Sequence, residues 1–202
     1  TLEASSAASD VYKRQGTFGA YSHLAALSVD PNAEIIPCKT FDECFSKASL
    51  EPENKIIIPE SNRITGNIGI EYLIFKHRLN IYMEHFQKIE HNLLGQPGSK
   101  LKDIKEVYSH AQGLSQCSQF IKENNLIEHI RADTAGSAEM ISKTKNTKQA
   151  AIASSLSAEI YGLEVIKKNI ENENGNLTRF LVMGKNISQP EFKDKNLSLI
   201  HI

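Results

Sequence analysis

Asn80-Ile81-Tyr82-Met83-Glu84-His85-Phe86-Gln87-Lys88-Ile89-Glu90-His91-Asn92-Leu93-Leu94 contains no glycine and no proline, and it partly alternates, at Ile81 and Met83 and again at Ile89, His91 and Leu93. Such a run reads as extended chain, and it is the candidate crossover between two lobes. Before it, Gly16 to Tyr21 is a glycine-bearing loop, Ser22 to Ser28 opens a helix with Ser22 as N-cap, and Glu34 to Pro37 is a strand. Thr40-x-x-Glu43 forms a capping box for a helix to about Ser49. Lys55-Ile56-Ile57-Ile58-Pro59 is a buried-strand run, and Ile70, Leu73 and Ile74 stand at helix spacing within Gly69 to His77. After the crossover, Gln96-Pro97-Gly98-Ser99 is a turn. Strands are expected at Glu106 to Tyr108, Glu128 to Arg131, Gln149 to Ala153 and Leu177 to Met183, with Leu163 to Ile170 extended. Helices are expected at Ala111 to Glu123, Thr134 to Lys143 and Ser155 to Tyr161, the last stopped by Gly162. Alternating strands and helices of these lengths predict an α/β fold with mainly parallel sheets, and two such lobes place a ligand in the cleft at the strand C-termini.

Composition narrows the class. Lys and Arg number 23 against 24 Asp and Glu, a balance that argues against a nucleic-acid binder held by a basic face. Hydrophobic residues at 40% and charged residues at 23% fit a globular chain and not a disordered one. No apolar run approaches the roughly 18–20 residues of a membrane span, and no positive-then-apolar leader opens the chain. Cys38, Cys44 and Cys117 lack metal-ligand spacing and suit a reduced, cytoplasmic setting. No HxH or HExxH pattern, P-loop, complete GxGxxG or nucleophile elbow is present.

The two ends share a DNA-level peculiarity. Asp10 to Gln15 read DVYKRQ and Leu197 to Ile202 read LSLIHI. The codons GAT-GTG-TAT-AAG-AGA-CAG encode the first string, and their reverse complement, CTG-TCT-CTT-ATA-CAC-ATC, encodes the second. The pair looks like a transposase adapter inserted in inverted orientation. Residues 1–15 and 197–202 are therefore expected to be adapter-like scar outside the fold.

Four segments could carry chemistry. Gly16-Thr17-Phe18-Gly19-Ala20-Tyr21-Ser22-His23 allows close backbone approach, and its helix start favours an anion; the plainer alternative is a tight loop with a cap. Ile58 to Gly66, through Glu60, Ser61, Asn62 and Arg63, leaves a buried strand as a polar connection, either functional or merely solvated. Ser109 and His110 end a strand, and Gln112 and Gln116 share one face of the next helix, so two amides, a hydroxyl and an imidazole could converge on a polar ligand. In Asn176-Leu177-Thr178-Arg179-Phe180, Thr178 and Phe180 face one side of a strand and Arg179 the other; a half-buried edge strand would look the same.

Together these segments resemble the prephenate dehydratase family. The family's GxxGAYSH loop matches Gly16 to His23, and its P-x-E-N-S-x-x-G segment corresponds to Pro59 to Gly66. Its Ser-His-x-Gln and A-x-x-Q-C pieces match Ser109 to Cys117, and N-x-T-R-F matches Asn176 to Phe180. DTAGSA (Asp133 to Ala138) and AAIAS…AEIYGL (Ala150 to Leu163) also match, so the resemblance covers residues 16–185 in order. It implies a two-lobed α/β domain similar to type-II periplasmic binding proteins, with the active site in the cleft. The implied reaction turns prephenate into phenylpyruvate, water and carbon dioxide with no metal and no organic cofactor. Thr178 takes the family's proton-donating role. Gly19, Ala20, Tyr21, Ser22, Asn62, Arg63, Ser109, His110, Gln112, Gln116, Arg179 and Phe180 are the expected substrate-binding residues. Family habit implies a homo-oligomer, with no nucleic-acid or membrane partner.

The implied layout is lobe 1 at residues 16–80, lobe 2 at 81–160, a return to lobe 1 at 161–185, and a linker to a phenylalanine-sensing ACT domain at 186–196. Two departures stand out. The family's E-N-S reads Ser61-Asn62-Arg63, which invites Arg63 to a substrate carboxylate, and Ala111 replaces the usual proline. With residues 1–15 excluded, the strand before the glycine loop is missing, and a bared sheet edge predicts poor stability. Arogenate dehydratase is the rival activity, which the residues do not separate from the first, and a two-lobed binding protein without catalysis is the rival class.

Overall fold

The computed structural model describes residues 11–51 and 53–185. The expectations for residues 1–10, for the linker at 186–196 and for the second scar at 197–202 lie outside the described residues.

Lobe 1 is built on β1 (Val11–Gln15), β2 (Glu34–Cys38), β3 (Lys55–Asn62), the short β4 (Gly66–Asn67), β5 (Asn80–Lys88) and β11 (Leu177–Gly184). Their order is β2-β1-β3-β11-β5, with β4 paired to β3. Lobe 2 is built on β6 (Asn92–Gly95), β7 (Glu106–His110), β8 (Ile127–Arg131), β9 (Gln149–Ala153) and β10 (Glu164–Lys167), in the order β10-β6-β9-β7-β8. The first sheet carries α1 (Tyr21–Val29), α2 (Phe41–Leu50) and α3 (Glu71–His77). The second carries α4 (Ala111–Gln116), α5 (Ser118–Glu123), α6 (Thr134–Lys143) and α7 (Ser155–Tyr161).

Both sheets are buried on two faces, which explains the unbroken apolar strands. Along β3, Ile56 and Ile58 enter one core with Phe45, Leu181 and Met183, while Ile57 enters the opposite core with Tyr12, Ala25, Phe180 and Val182. In lobe 2, Leu93, Val107 and Ile152 meet Leu114 and Ile121, while Leu94, Tyr108 and Ala151 meet Ala138 and Ile141.

The two-lobed α/β class expected from the sequence is the one observed, with three corrections. The sheets are mixed rather than mainly parallel: β1 pairs parallel with β2 and β3, and β7 with β8 and β9, but β11 runs antiparallel to β3 and β5, and β6 antiparallel to β9 and β10. The reversed strands are the two by which the chain enters each lobe, β6 and β11; β5 and β10, by which it leaves, run with the parallel strands. The lobe boundaries shift as well. All of β5 belongs to lobe 1 and the crossing is confined to Ile89-Glu90-His91, while β10 still belongs to lobe 2, so the return follows Lys167.

The third correction concerns the amino-terminal end. Val11–Gln15, set aside above, forms β1 between β2 and β3, so the sheet has no gap before the glycine loop. The strand brings charge indoors. Lys13 is 2% exposed and pairs with Glu51, and Arg14 is fully buried.

Local expectations hold where the residues act locally. Thr40 Oγ1 accepts from Glu43 N at 3.1 Å, and Gly162 ends α7 in the left-handed region. They fail where the fold intervenes. Ser22 does not cap α1; Ala20 holds that position, and the Ser22 hydroxyl donates to Gln15 O at 2.8 Å, at the end of β1. The helix expected from Ala111 to Glu123 breaks at Cys117, where Asn172 accepts from Gln119 N at 3.0 Å and donates to Ser115 O and Ser118 Oγ. A side chain inserted in this way interrupts the helical ladder.

Candidate active site between the lobes

A cavity of about 350 Å³ opens between the lobes. Ala20, Tyr21, Ser22, Asn62, Thr178 and Phe180 line it from lobe 1, and His110, Gln112, Gly113, Gln116, Asp133 and Thr134 from lobe 2. Asn176 and His91 line it from the two crossings, and Pro59, Ile68, Ile89 and Phe180 supply apolar wall.

Thr178 and Asn62 are cross-strand partners on β11 and β3, so the sheet register itself brings them together. Asn62 Oδ1 accepts from Ile64 N at 3.0 Å and Thr65 N at 3.2 Å, an Asx turn that fixes which way the amide faces. Its Nδ2 therefore donates, to Thr178 Oγ1 at 2.8 Å and to Asn176 Oδ1 at 2.8 Å. Thr178 thus receives a hydrogen bond from behind and keeps its own O–H proton for the cavity. Asn176 Nδ2 donates onward to Gln116 Oε1 at 3.2 Å, joining the lobes.

Three helices begin at the cavity wall: α1 at Ala20 to Ser22, α4 at His110 to Gly113 and α6 at Asp133 and Thr134. First-turn N–H groups have no acceptor within their own helix, and the helix dipole favours an anion there. The α1 cap makes no side-chain hydrogen bond, which leaves its first N–H groups to a ligand. Among the described residues, no Lys or Arg lines the cavity. Negative charge bound here would be met by backbone N–H groups and side-chain amides.

The glycine loop is also the clamp between the lobes. Gly19 O accepts from Ser154 Oγ at 2.6 Å and Ser157 Oγ at 2.9 Å, Phe18 O accepts from Tyr161 at 2.8 Å, and Thr17 Oγ1 donates to Asp133 at 3.0 Å. Gly19 has φ +85°, and a Cβ there would stand 2.6 Å from Ser157 Oγ. Its N–H donates to His23 Nδ1 at 3.1 Å, and burial pushes the His23 imidazole down to about 4. Burial raises the Tyr21 hydroxyl well above its usual range, so it stays protonated.

Several expected site residues stand elsewhere. Ala20, Tyr21, Ser22, Asn62, His110, Gln112, Gln116, Thr178 and Phe180 do line the cavity. Gly19 faces α7. Ser109 is fully buried beneath the cavity floor and donates to Ile152 O at 2.7 Å. Arg179 points to the opposite face of its strand, as alternation requires, and bridges Glu84 and Glu60. Arg63 is exposed, outside the cavity, with Nη1 3.4 Å from Gly175 O; it begins the turn that follows Asn62, the last residue of β3. The wall residues that were not expected include His91, Asn176, Thr65, Asp133 and Thr134. Asn176 was legible, two residues before Thr178 and on the same side of an extended chain. Among the described residues, no group of three or more His, Cys, Asp or Glu could hold a metal ion, and no helix is long and apolar enough to cross a membrane.

Fold and cavity define a two-lobed α/β protein with a polar cavity between its lobes. The family model for prephenate dehydratase matches residues 13–188. The chloroplastic arogenate dehydratase/prephenate dehydratase 1 of Arabidopsis thaliana is 42% identical over 174 residues, which are 85% of this chain and 44% of that relative. The chain thus spans less than half of that protein's length. A solved structure described as a novel type of quorum-quenching acylase superposes with a TM-score of 0.82 at 33% identity, covering 89% of this chain and 65% of that one. The prephenate dehydratase of Arthrobacter aurescens, solved with L-Phe, gives a TM-score of 0.80 at 24% identity over 90% of this chain and 62% of its own, a likeness of fold. The chain belongs to the prephenate dehydratase family.

Proposed function

We propose that the interlobe cavity converts prephenate to phenylpyruvate, water and carbon dioxide. The observation that carries this reading is the Thr178 hydroxyl, held from behind by Asn62 and free to donate into a cavity where helices from both lobes begin. Prephenate is a dianion with a ring hydroxyl. Cleavage of the bond to the ring carboxylate releases carbon dioxide and sends an electron pair into the ring, and the C–O bond to the hydroxyl breaks. Hydroxide is a poor leaving group, so a hydrogen bond or proton must reach that oxygen as it departs; such assistance contributes typically ~10²–10⁴-fold. Thr178 is the donor placed to do so. The N–H groups opening α1 would hold one carboxylate and the Gln116 amide the other, and Pro59, Ile89 and Phe180 would flank the ring and exclude water.

Gln112, which donates to Thr65 Oγ1 at 3.0 Å across the cleft, supplies a further donor. Arogenate is the second reading, supported by the Asp133 carboxylate on the cavity wall, which an ammonium group could approach. The three buried free thiols support a reducing compartment, in keeping with a cytoplasmic setting. Phenylpyruvate formation from prephenate by the purified chain tests the proposal, and paired kcat/KM values for prephenate and arogenate order the two readings. Ligand binding without release of carbon dioxide would sink both and favour a non-catalytic binding protein.

A further inference from the structure

His91 lies in the first crossing, 3% exposed, where it touches both lobes and the returning chain. Its Nε2 is 2.7 Å from Gln116 Oε1 and its Nδ1 is 2.8 Å from the Tyr21 hydroxyl, which also lies 2.9 Å from Glu90 O. Its own N–H donates to Glu171 Oε2 at 2.9 Å, and its carbonyl accepts from Ile170 N at 2.9 Å.

Hydrogen-bond polarity can be followed from the backbone to this ring. Ile64 N and Thr65 N occupy Asn62 Oδ1, so Asn62 Nδ2 donates to Asn176 Oδ1. Asn176 must then present Nδ2 to Gln116, whose Oε1 accepts. An amide oxygen facing His91 requires an N–H there, so the ring carries its proton on Nε2 and leaves Nδ1 as an acceptor; the one Tyr21 hydroxyl proton is then shared between Nδ1 and the Glu90 carbonyl. Gln116 is left with its Nε2 at the cavity wall, buried and without a partner among the described residues. The groups facing the ring are Tyr21, the Glu90 carbonyl and the Glu171 carboxylate. Burial holds the imidazole below its usual pKa, against the Gln116 hydrogen bond and Glu171, so it stays neutral.

We propose that His91 is a positioning residue for the dehydratase reaction: its Nε2–H locks the Gln116 amide so that Gln116 Nε2 points to the substrate, and it ends a hydrogen-bond network in which Asn62 donates to Thr178 and Asn176, and Asn176 and His91 both donate to Gln116 Oε1. This rests on the activity proposed above. Removing the N–H frees the Gln116 amide to turn and withdraw its donor. One hydrogen bond of ordinary strength, about 1 kcal/mol, corresponds to a several-fold to tenfold loss.

The test is a mutant cycle with a spectroscopic arm. His91→Leu is expected to lower kcat/KM about tenfold in the native background and less than about twofold in a Gln116→Leu background. His91→Gln, whose terminal amide can reach the Nε2 position, is expected to recover most of the loss. Equal losses in both backgrounds, or no recovery in a His91→Gln protein with native melting, would overturn the proposal. Imidazole ¹⁵N spectra of the unmutated chain at neutral pH should show His91 as the Nε2–H tautomer; the Nδ1–H tautomer would refute it even if the variants fail to fold. An unmutated chain that does not turn over prephenate would sink the activity reading, while the tautomer result would still judge the hydrogen-bond network.

Discussion

Arg14 offers a stability prediction whose size follows from the structure. It stands at 0% exposure in a central strand, and its Nε and Nη2 have no hydrogen-bond partner among the described residues. Only Nη1 is satisfied, donating to Gly16 O at 3.0 Å and Thr17 O at 2.9 Å, while the guanidinium lies 5.5 Å from the Phe18 ring centroid. Burial lowers its pKa from the ordinary guanidinium range to about 10. That change corresponds to about 3 kcal/mol of native-state penalty. The sign is unambiguous: below pH 10 the group is charged in both folded and unfolded chains, so the full penalty applies at neutral pH and is relieved only as pH rises past 10. Arg14→Met removes the charge and keeps most of the volume. It gives up two bonds to loop carbonyls, a net loss of about 1 kcal/mol, because those loop residues also border a second, solvent-open cavity where water can replace the donor. The expected balance is a stabilisation of about 2 kcal/mol, or about 4–8 °C in the midpoint of thermal unfolding for a domain of this size. Circular dichroism melting of both proteins at neutral pH measures it. A lower midpoint for Arg14→Met would show that the buried guanidinium stabilises β1, and the reasoning about its unmet nitrogens would be wrong.

Other substitutions probe the clamp and the site. Gly19→Ala forces a side chain into φ +85° and against Ser157, and should cost at least about 1–2 kcal/mol while raising KM, as read by melting and steady-state kinetics. His23 should make stability fall as pH drops from about 6.5 toward 4: the unfolded chain takes up a proton over that interval and the folded one does not, a loss of up to about 3 kcal/mol. Urea unfolding across that range should flatten in His23→Gln. Asn62→Asp replaces the amide donor behind Thr178 with an acceptor, and should lower kcat by about a hundredfold or more; turnover near that of the unmutated chain would remove Asn62 from the arrangement.

What the sequence revealed follows the range of the interactions involved. The Thr40 box, the Gly162 stop and the two-faced burial of Ile56, Ile57 and Ile58 rest on neighbours in sequence, and they read correctly. The crossing near Asn80 to Leu94 was visible as an uninterrupted extended run. Its division at Ile89-Glu90-His91 was not, because β5 is held in lobe 1 by pairing with β11, some 89 to 104 residues further along the chain. The break at Cys117 depends on Asn172, from the other crossing. Alternation alone turned Arg179 away from Thr178. Arg63 lies one residue beyond the end of β3, in the turn closed by Asn62, where strand alternation no longer applies. His91 was seen as one member of an alternating apolar run, which marks an inward-facing position without naming its partners. Tyr21 and Gln116, the residues that give that ring a role, come from distant segments.

The account depends most on Thr178, and the most direct measurement is the steady-state turnover of prephenate by the unmutated chain, Thr178→Ser and Thr178→Ala. A hydroxyl that assists the departing oxygen predicts a fall in kcat of about a hundredfold or more for Thr178→Ala, with KM little changed, and substantial recovery in Thr178→Ser. A Thr178→Ala protein that forms phenylpyruvate at close to the unmutated rate would contradict it.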